Sequence, residues 1–199
     1  MSDTKIHVLP PALCDQIAAG EVLERASSAV KELVENALDA GATAIQIEIE
    51  EGGRKRLCVT DNGCGMTRED ARLSVIRHAT SKIATVEDLA KIGTMGFRGE
   101  ALASMAAVSK LTIQTKRAED ETGTYFRMEG SIETACRETA VPKGTQITIE
   151  DLFFNTPARL KFLKTTATEQ RRVYEVVEQF ALACPNVAFK LMTDGRVKC

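Results

Sequence analysis

The chain has 199 residues, 44% hydrophobic and 27% charged, the proportions of one ordinary globular domain: long enough for a single well-buried core and short for two. A formal net charge of −2 excludes a nucleic-acid-binding surface spread over the whole domain, though not a local patch, and no apolar run approaches the ~20 residues of a membrane helix. Six cysteines occur without a CxxC pair, alongside only two histidines. They read as small buried hydrophobes and free thiols, not as zinc ligands or disulfides. The first residues, MSDTKIHVLPP, lack the basic and apolar segments of a signal peptide, so the cytoplasm is the expected compartment.

In chain order, Ile6 to Gly20 is an apolar arm, and residues 1–20 are assigned to it; residues 21–199 are assigned to the main domain. A helix is predicted over 21–40, with Gly41 as its C-cap. Residues 44–50 alternate strictly, Ile45, Ile47 and Ile49 against Gln46, Glu48 and Glu50, as a half-buried strand does. Gly52-Gly53 turns into a second strand, Arg56 to Thr60. After the loop DNGCGM, Thr67 caps a short helix reaching about His78, and residues 79–99 read as irregular. Ala101 to Val108 is a small-residue helix. Strands follow at Leu111–Lys116, Thr124–Glu129, Ser131–Glu138 and Thr145–Glu150. A helix over Thr168 to Cys184 turns Val173, Val176, Val177, Phe180 and Ala181 inward, and Pro185 ends it. Val187 to Thr193 is a strand, and Asp194-Gly195 a hairpin turn. The chain stops within the return strand, so a fragment of a longer protein is expected. Helices first and an antiparallel run of strands afterwards indicate an α+β sandwich.

Three features carry chemistry. On the first long helix, Glu32, Glu35, Asn36 and Asp39 share an arc of about 100°, opposite Val30, Leu33, Val34, Ala37 and Leu38. No basic residue lies within the arc, and Lys31 flanks it. Like charges at this spacing repel by a few tenths of a kcal/mol, so a cation is expected there. Taken alone the arc reads first as a solvated face, but the amide suits a hard cation such as Mg²⁺. Next, Asp61 follows a strand, with Gly63 and Gly65 behind it. It reads as an Asx-capped turn or as an acceptor for an exocyclic amine beside closely approaching backbone. Third, Gly93, Gly96 and Gly99 lead into the helix at Ala101, with Arg98 among them, a weak anion-cradle signal. No Walker A sequence occurs. Together the three describe Mg-ATP bound without a P-loop.

The segments QIAAGEV (16–22), KELVENALDAGA (31–42), DNGCGM (61–66), RHATSKI (77–83), GFRGEALAS (96–104) and FFNTPARLKF (153–162) closely resemble the MutL mismatch-repair family. The resemblance runs from about Ile6 to the end. It implies the left-handed, two-layer ATP-binding sandwich shared by gyrases, heat-shock chaperones, histidine kinases and MutL: a mixed, mostly antiparallel sheet with helices on one face. By motif, Glu32 resembles the general base and Asn36 the Mg²⁺ ligand. Asp61, with Gly65 and Met66 beside it, matches the adenine-reading loop, and Thr145 the residue supporting adenine. Thr80, Ser81 and Lys82 fall in the lid over the phosphates; Gly96, Phe97, Arg98, Gly99, Glu100, Ala101 and Leu102 match the phosphate loop and helix start.

The resemblance also implies ATP and Mg²⁺ as ligands and slow hydrolysis. It implies ATP-driven homodimerisation through the N-terminal region, a mismatch-recognition partner of the MutS type, weak non-specific DNA binding and a bacterial, nucleoid-associated setting. A basic run (Arg159, Lys161, Lys164, Arg171, Arg172) is open to reading as a solvated face or a DNA patch. The rival identity is the ATPase domain of a type II topoisomerase B subunit, against which GFRGEAL and NTPARLKF speak. Members commonly have ERPASVV where this chain has ERASSAV (24–30), which loosens the expected start of the helix. They also continue into a second α/β domain that supplies a lysine to the γ-phosphate, and then into a dimerisation domain. For this chain the resemblance therefore supports nucleotide binding more firmly than turnover.

Overall fold

The computed structural model describes residues 8–82 and 99–198. Its elements are α1 (Pro11–Val22), α2 (Ala26–Asp39), β1 (Ala44–Glu50), β2 (Arg56–Asp61), α3 (Arg68–Leu73), α4 (Ala101–Val108), β3 (Lys110–Lys116), β4 (Gly123–Glu129), β5 (Ile132–Thr139), β6 (Gly144–Glu150), α5 (Pro157–Phe162), α6 (Thr166–Ala183), β7 (Ala188–Thr193) and β8 (Arg196–Val197). The strands form one sheet in the order β5-β4-β3-β6-β2-β1-β7-β8. Only the β1–β7 pair is parallel among them. This is the expected mixed, mostly antiparallel sheet of a two-layer sandwich.

Period-two alternation sets the layers. One row across six strands is Leu191, Ile47, Val59, Ile147, Ile113 and Phe126; beside it, five strands align Ile49, Leu57, Ile149, Leu111 and Met128. All are buried, against a helical layer that adds Val30, Leu33, Val34, Met105, Val173 and Val177. The opposite face is polar and bonds to itself. Gln114 donates to Gln146, and both Gln146 and Thr148 donate to the Cys58 sulfur. A sheet packed on one side only accounts for the clean alternation of its strands.

The predicted helix over 21–40 is two helices. Leu23 and Arg25 are extended, because long-range contacts seize both. The Arg159 guanidinium donates to the Leu23 carbonyl at 3.2 Å, and Arg25 lies 3.5 Å from the buried carboxylate of Glu169. Gly20 exists for the same contact: a Cβ there would sit 1.3 Å from Arg159 Nη2. Helix α2 starts at Ala26 although the family's proline is missing, with no side-chain cap on Arg25. At its other end Gly41 has φ 73°, the Gly41 and Ala42 N–H groups bond to Leu38 and Ala37, and the helix closes in a Schellman motif.

Other boundaries shift as well. α3 ends at Leu73, well short of His78, and Ser74 N bonds back to Asp70. α6 begins at Thr166, capped by Thr165. Ala181 is exposed, not inward-facing, while Phe180 beside it packs on the core. The unforeseen α5 begins with Pro157 in its first turn. The apolar arm contains α1, which packs on α4 and buries Ala19. Predicted irregular structure over residues 83–98 lies outside the described residues. The Asp194-Gly195 turn is as expected, with φ of 49° and 76° joining β7 to β8. Free cysteines agree with the reading above: Cys58 is buried, Cys14 and Cys64 are exposed.

Two glycines separate backbone strain from collision. Gly41 has open space at its Cβ position, whereas a Cβ on Gly144 (φ 117°) would lie 2.1 Å from the Asp61 carbonyl. Gly41→Ala should lose about 1 kcal/mol, and Gly144→Ala at least about 3 kcal/mol. Urea unfolding of the two variants checks this, and equal losses would contradict the packing described.

Candidate functional site

The third row of the sheet breaks the hydrophobic pattern. In register lie Ile45, Asp61, Thr145, Thr115 and Thr124, so a carboxylate and three hydroxyls share the core-facing side at the end of the central strands. Thr145, Thr115 and Thr124 are buried. Asp61 Oδ1 accepts the Gly63 N–H at 2.8 Å, and the Thr145 backbone also bonds to the carboxylate. Burial nevertheless raises the Asp61 carboxyl above the usual range, outweighing these two bonds.

Backbone closes tightly round this corner. Gly65 (φ 75°) places its Cβ position 2.1 Å from the Lys116 carbonyl, and Gly144 abuts Asp61; only glycine fits either contact. Met66 N–H donates to Thr115 Oγ1 at 2.9 Å, and Thr115 and Thr145 hydroxyls meet at 3.0 Å. Asn62 fastens the loop to the start of β1. Its Oδ1 accepts from Thr43 and Ala44 N–H at 2.8 and 3.0 Å, and its Nδ2 donates to Thr43 Oγ1. Neither Thr115 nor Asn62 stood out in the sequence. Register with Thr145 singles out the first, and the second is an ordinary turn residue.

The same loop meets the end of α2, where Cys64 N–H donates to the Ala40 carbonyl at 3.0 Å. One turn back stands Asn36, and one turn further Glu32, stacked at i,i+4 on the same face. Glu32 and Asn36 are half-buried. The arc does have counter-charge: the flanking Lys31 lies 3.6 Å from Glu35. Lys82 Nζ donates to Asn36 Oδ1 at 2.9 Å and to Asp39 Oδ2 at 2.7 Å. The resemblance implies Lys82 in the lid over the phosphates; in the structure its ammonium lies against the arc, brought from 46 residues away.

These oxygens test a metal's fit. An amide oxygen and a carboxylate already grip one cation between them, and an all-oxygen set suits Mg²⁺. Among the described residues no trio of His, Cys, Asp and Glu forms a metal site by itself. A magnesium ion at Asn36 would thus complete its shell from ligand and water, as that ion commonly does.

Of the remaining predicted residues, Thr80 Oγ1 accepts the Lys82 N–H, and Ser81 is exposed next to it. Gly99 (φ 61°) packs its Cβ position 2.5 Å from the Ala79 carbonyl, so the Thr80–Lys82 segment leaves directly from the start of α4. Glu100 lies 3.3 Å from His78 Nδ1, and Ala101 and Leu102 open α4. Gly96, Phe97 and Arg98 lie outside the described residues. In the basic run, Arg159 donates to the Leu23 carbonyl, Arg171 pairs with Glu175 at 2.9 Å, and Lys161, Lys164 and Arg172 are exposed.

A family model described as histidine kinase-, DNA gyrase B- and HSP90-like ATPase matches residues 24–156. The chain is 55% identical over 193 residues to a DNA mismatch repair protein MutL of Syntrophotalea carbinolica, covering 97% of the chain and 31% of that protein. It is 52% identical to one of Streptococcus agalactiae, covering 97% and 29%. The chain thus spans about a third of the curated relatives it matches. Among solved structures, the Aquifex aeolicus MutL ATPase domain complexed with ADP superposes with a TM-score of 0.72 at 34% identity, over 89% of this chain and 63% of that one. The N-terminal domain of a DNA repair protein gives 0.77 at 27%, over 92% and 54%.

The half-buried Asp61 gives a stability test. Its raised pKa means that the ionised form opposes folding above that pKa, and that this penalty vanishes as the pH falls and the carboxyl takes up a proton. Asp61→Asn should therefore melt no lower than the parent at pH 7, and any gain should fade as the pH falls into the carboxylate range. Melting several degrees lower at pH 7 would show that the carboxylate is held for stability.

Proposed function

Since this chain belongs to the histidine kinase-, DNA gyrase B- and HSP90-like ATPases, in their MutL mismatch-repair branch, we propose that its two polar corners are the ends of one Mg-ATP site. The observation that carries the reading is the Ala40–Cys64 bond, which joins the arc of α2 to the loop of Asp61. Asp61 accepts from the adenine amino group, with Gly65 and Met66 backbone against the ring and Thr145 beside it. The A. aeolicus MutL ATPase domain, to which this chain is similar, is complexed with ADP, which supports nucleotide binding by this fold.

Asn36 holds Mg²⁺ through its amide oxygen, and Glu32, one turn earlier, orients the attacking water and takes its proton. When bound, the ion neutralises charge on the phosphate oxygens. Lys82 exchanges Asn36 and Asp39 for the phosphates. Thr80 and Ser81 lie with it in the lid, and Gly96 to Leu102 form the phosphate loop, ending on the N–H groups at the start of α4.

In the full-length protein this site turns over slowly. Nucleotide also drives N-terminal dimerisation, coupling mismatch recognition by a MutS-type protein to downstream repair factors. The Arg77 guanidinium, which lies 3.0 Å from the Asp15 carboxylate and donates to the Asp15 carbonyl, supports a mechanical tie between α1 and the base of the lid. A topoisomerase reading is weaker, because the relatives and structural neighbours named above are DNA repair proteins.

Glu32→Ala in the full-length protein tests the catalytic assignment. Steady-state ATPase activity should fall about a hundredfold or more, while ATP affinity by calorimetry changes less than about threefold. Turnover close to that of the parent would remove Glu32 from the role.

A further inference from the structure

Thr115, on β3, is 1% exposed, so water has no part in its bonding. Its hydroxyl has one proton to give and two lone pairs to offer, and three protein groups use them. It donates to the Gly144 carbonyl at 3.0 Å, accepts the Met66 N–H at 2.9 Å and meets Thr145 Oγ1 at 3.0 Å. The hydroxyl is therefore saturated within the protein and has nothing left for a ligand.

What it holds are two walls of the Asp61 corner. The loop after β2 is fastened to three elements: by Asn62 to the start of β1, by the Cys64 N–H to the end of α2, and by the Met66 N–H to Thr115 on β3. Gly65 lies so close to β3 that a Cβ would sit 2.1 Å from the Lys116 carbonyl. That contact sets a distance, and the directional bond beside it sets the orientation. The second wall is the turn at Gly144 and Thr145, which abuts the Asp61 carbonyl. We infer that Thr115 is a positioning residue for nucleotide: one hydroxyl sets the backbone of Gly65 and Met66 and the side chain of Thr145 without touching the ligand. The inference rests on the nucleotide-site reading. Without the hydroxyl the Met66 N–H is a donor lacking its partner, and the loop gains by moving to find another. The phosphate end stands on α2 and α4, so the loss falls on binding and not on the chemical step.

Thr115→Val keeps the shape of the side chain and removes the hydroxyl. In steady-state kinetics of the full-length protein, KM for ATP should rise about tenfold or more, with kcat within about threefold of the parent. Where turnover is slow, KM reports affinity, whereas a variant that merely loses folded protein loses kcat and keeps KM. ADP, measured as a competitive inhibitor, shares the base and should weaken by the same factor. Thr115→Ser restores the hydroxyl and should restore both constants. A KM within about threefold of the parent, a kcat loss as large as the KM rise, a loss confined to ATP, or a serine variant as weak as valine overturns the role of Thr115 and leaves the nucleotide site standing. A parent protein that binds no ATP removes both. If Thr115→Val does not fold, Thr115→Ala takes its place and is read the same way. If neither folds, the hydroxyl serves the fold and the inference falls.

Discussion

A half-buried carboxylate on the core-facing side of the central sheet is the constraint round which this domain is arranged. Two neighbouring rows of the same strands are almost wholly aliphatic or aromatic, and the row of Asp61 is polar. Desolvation raises its pKa even with two backbone N–H groups on it. A fold seeking only stability would place an apolar side chain there, because a buried polar group without a full set of partners is costly. The surroundings instead accommodate the acid: glycines at 65 and 144 bring backbone into contact, and threonines at 115 and 145 extend the polar row without adding charge.

The second corner obeys different electrostatics. Helix α2 gathers Glu32, Glu35, Asn36 and Asp39 on one side and gives the other to the core. Lysines 31 and 82 relieve the repulsion. One belongs to the helix; the other arrives from the segment after α3. The loop after β2 brings the two corners together, because it is fastened at once to α2 through Ala40 and to β1 through Asn62.

Much of this was legible in the sequence, for local reasons. Strict alternation in 44–50 fixes a one-sided sheet, Gly41 announces a Schellman close, and Asp194-Gly195 a hairpin. The arc on α2 needs only helical geometry. What was not legible depends on contacts far apart in the chain. Glu24 and Arg25 are good helix formers, so nothing local marks the break between α1 and α2, which Arg159 and Glu169 enforce from across the domain. Lys82 fills the arc only because of its tertiary position. Thr115 is an unremarkable strand residue until register sets it beside Thr145. The motifs at Gly20 and Arg159 were quoted separately as family marks, and the structure makes them one contact.

The central claim is that the two corners form one site. A crystal structure of the chain with a non-hydrolysable ATP analogue and Mg²⁺ tests it most directly. The account predicts the adenine amino group on Asp61, the metal on the Asn36 amide oxygen, and the Lys82 ammonium moved from Asn36 to the phosphates. Nucleotide bound elsewhere, or Lys82 still bridging Asn36 and Asp39 with the nucleotide in place, would contradict it.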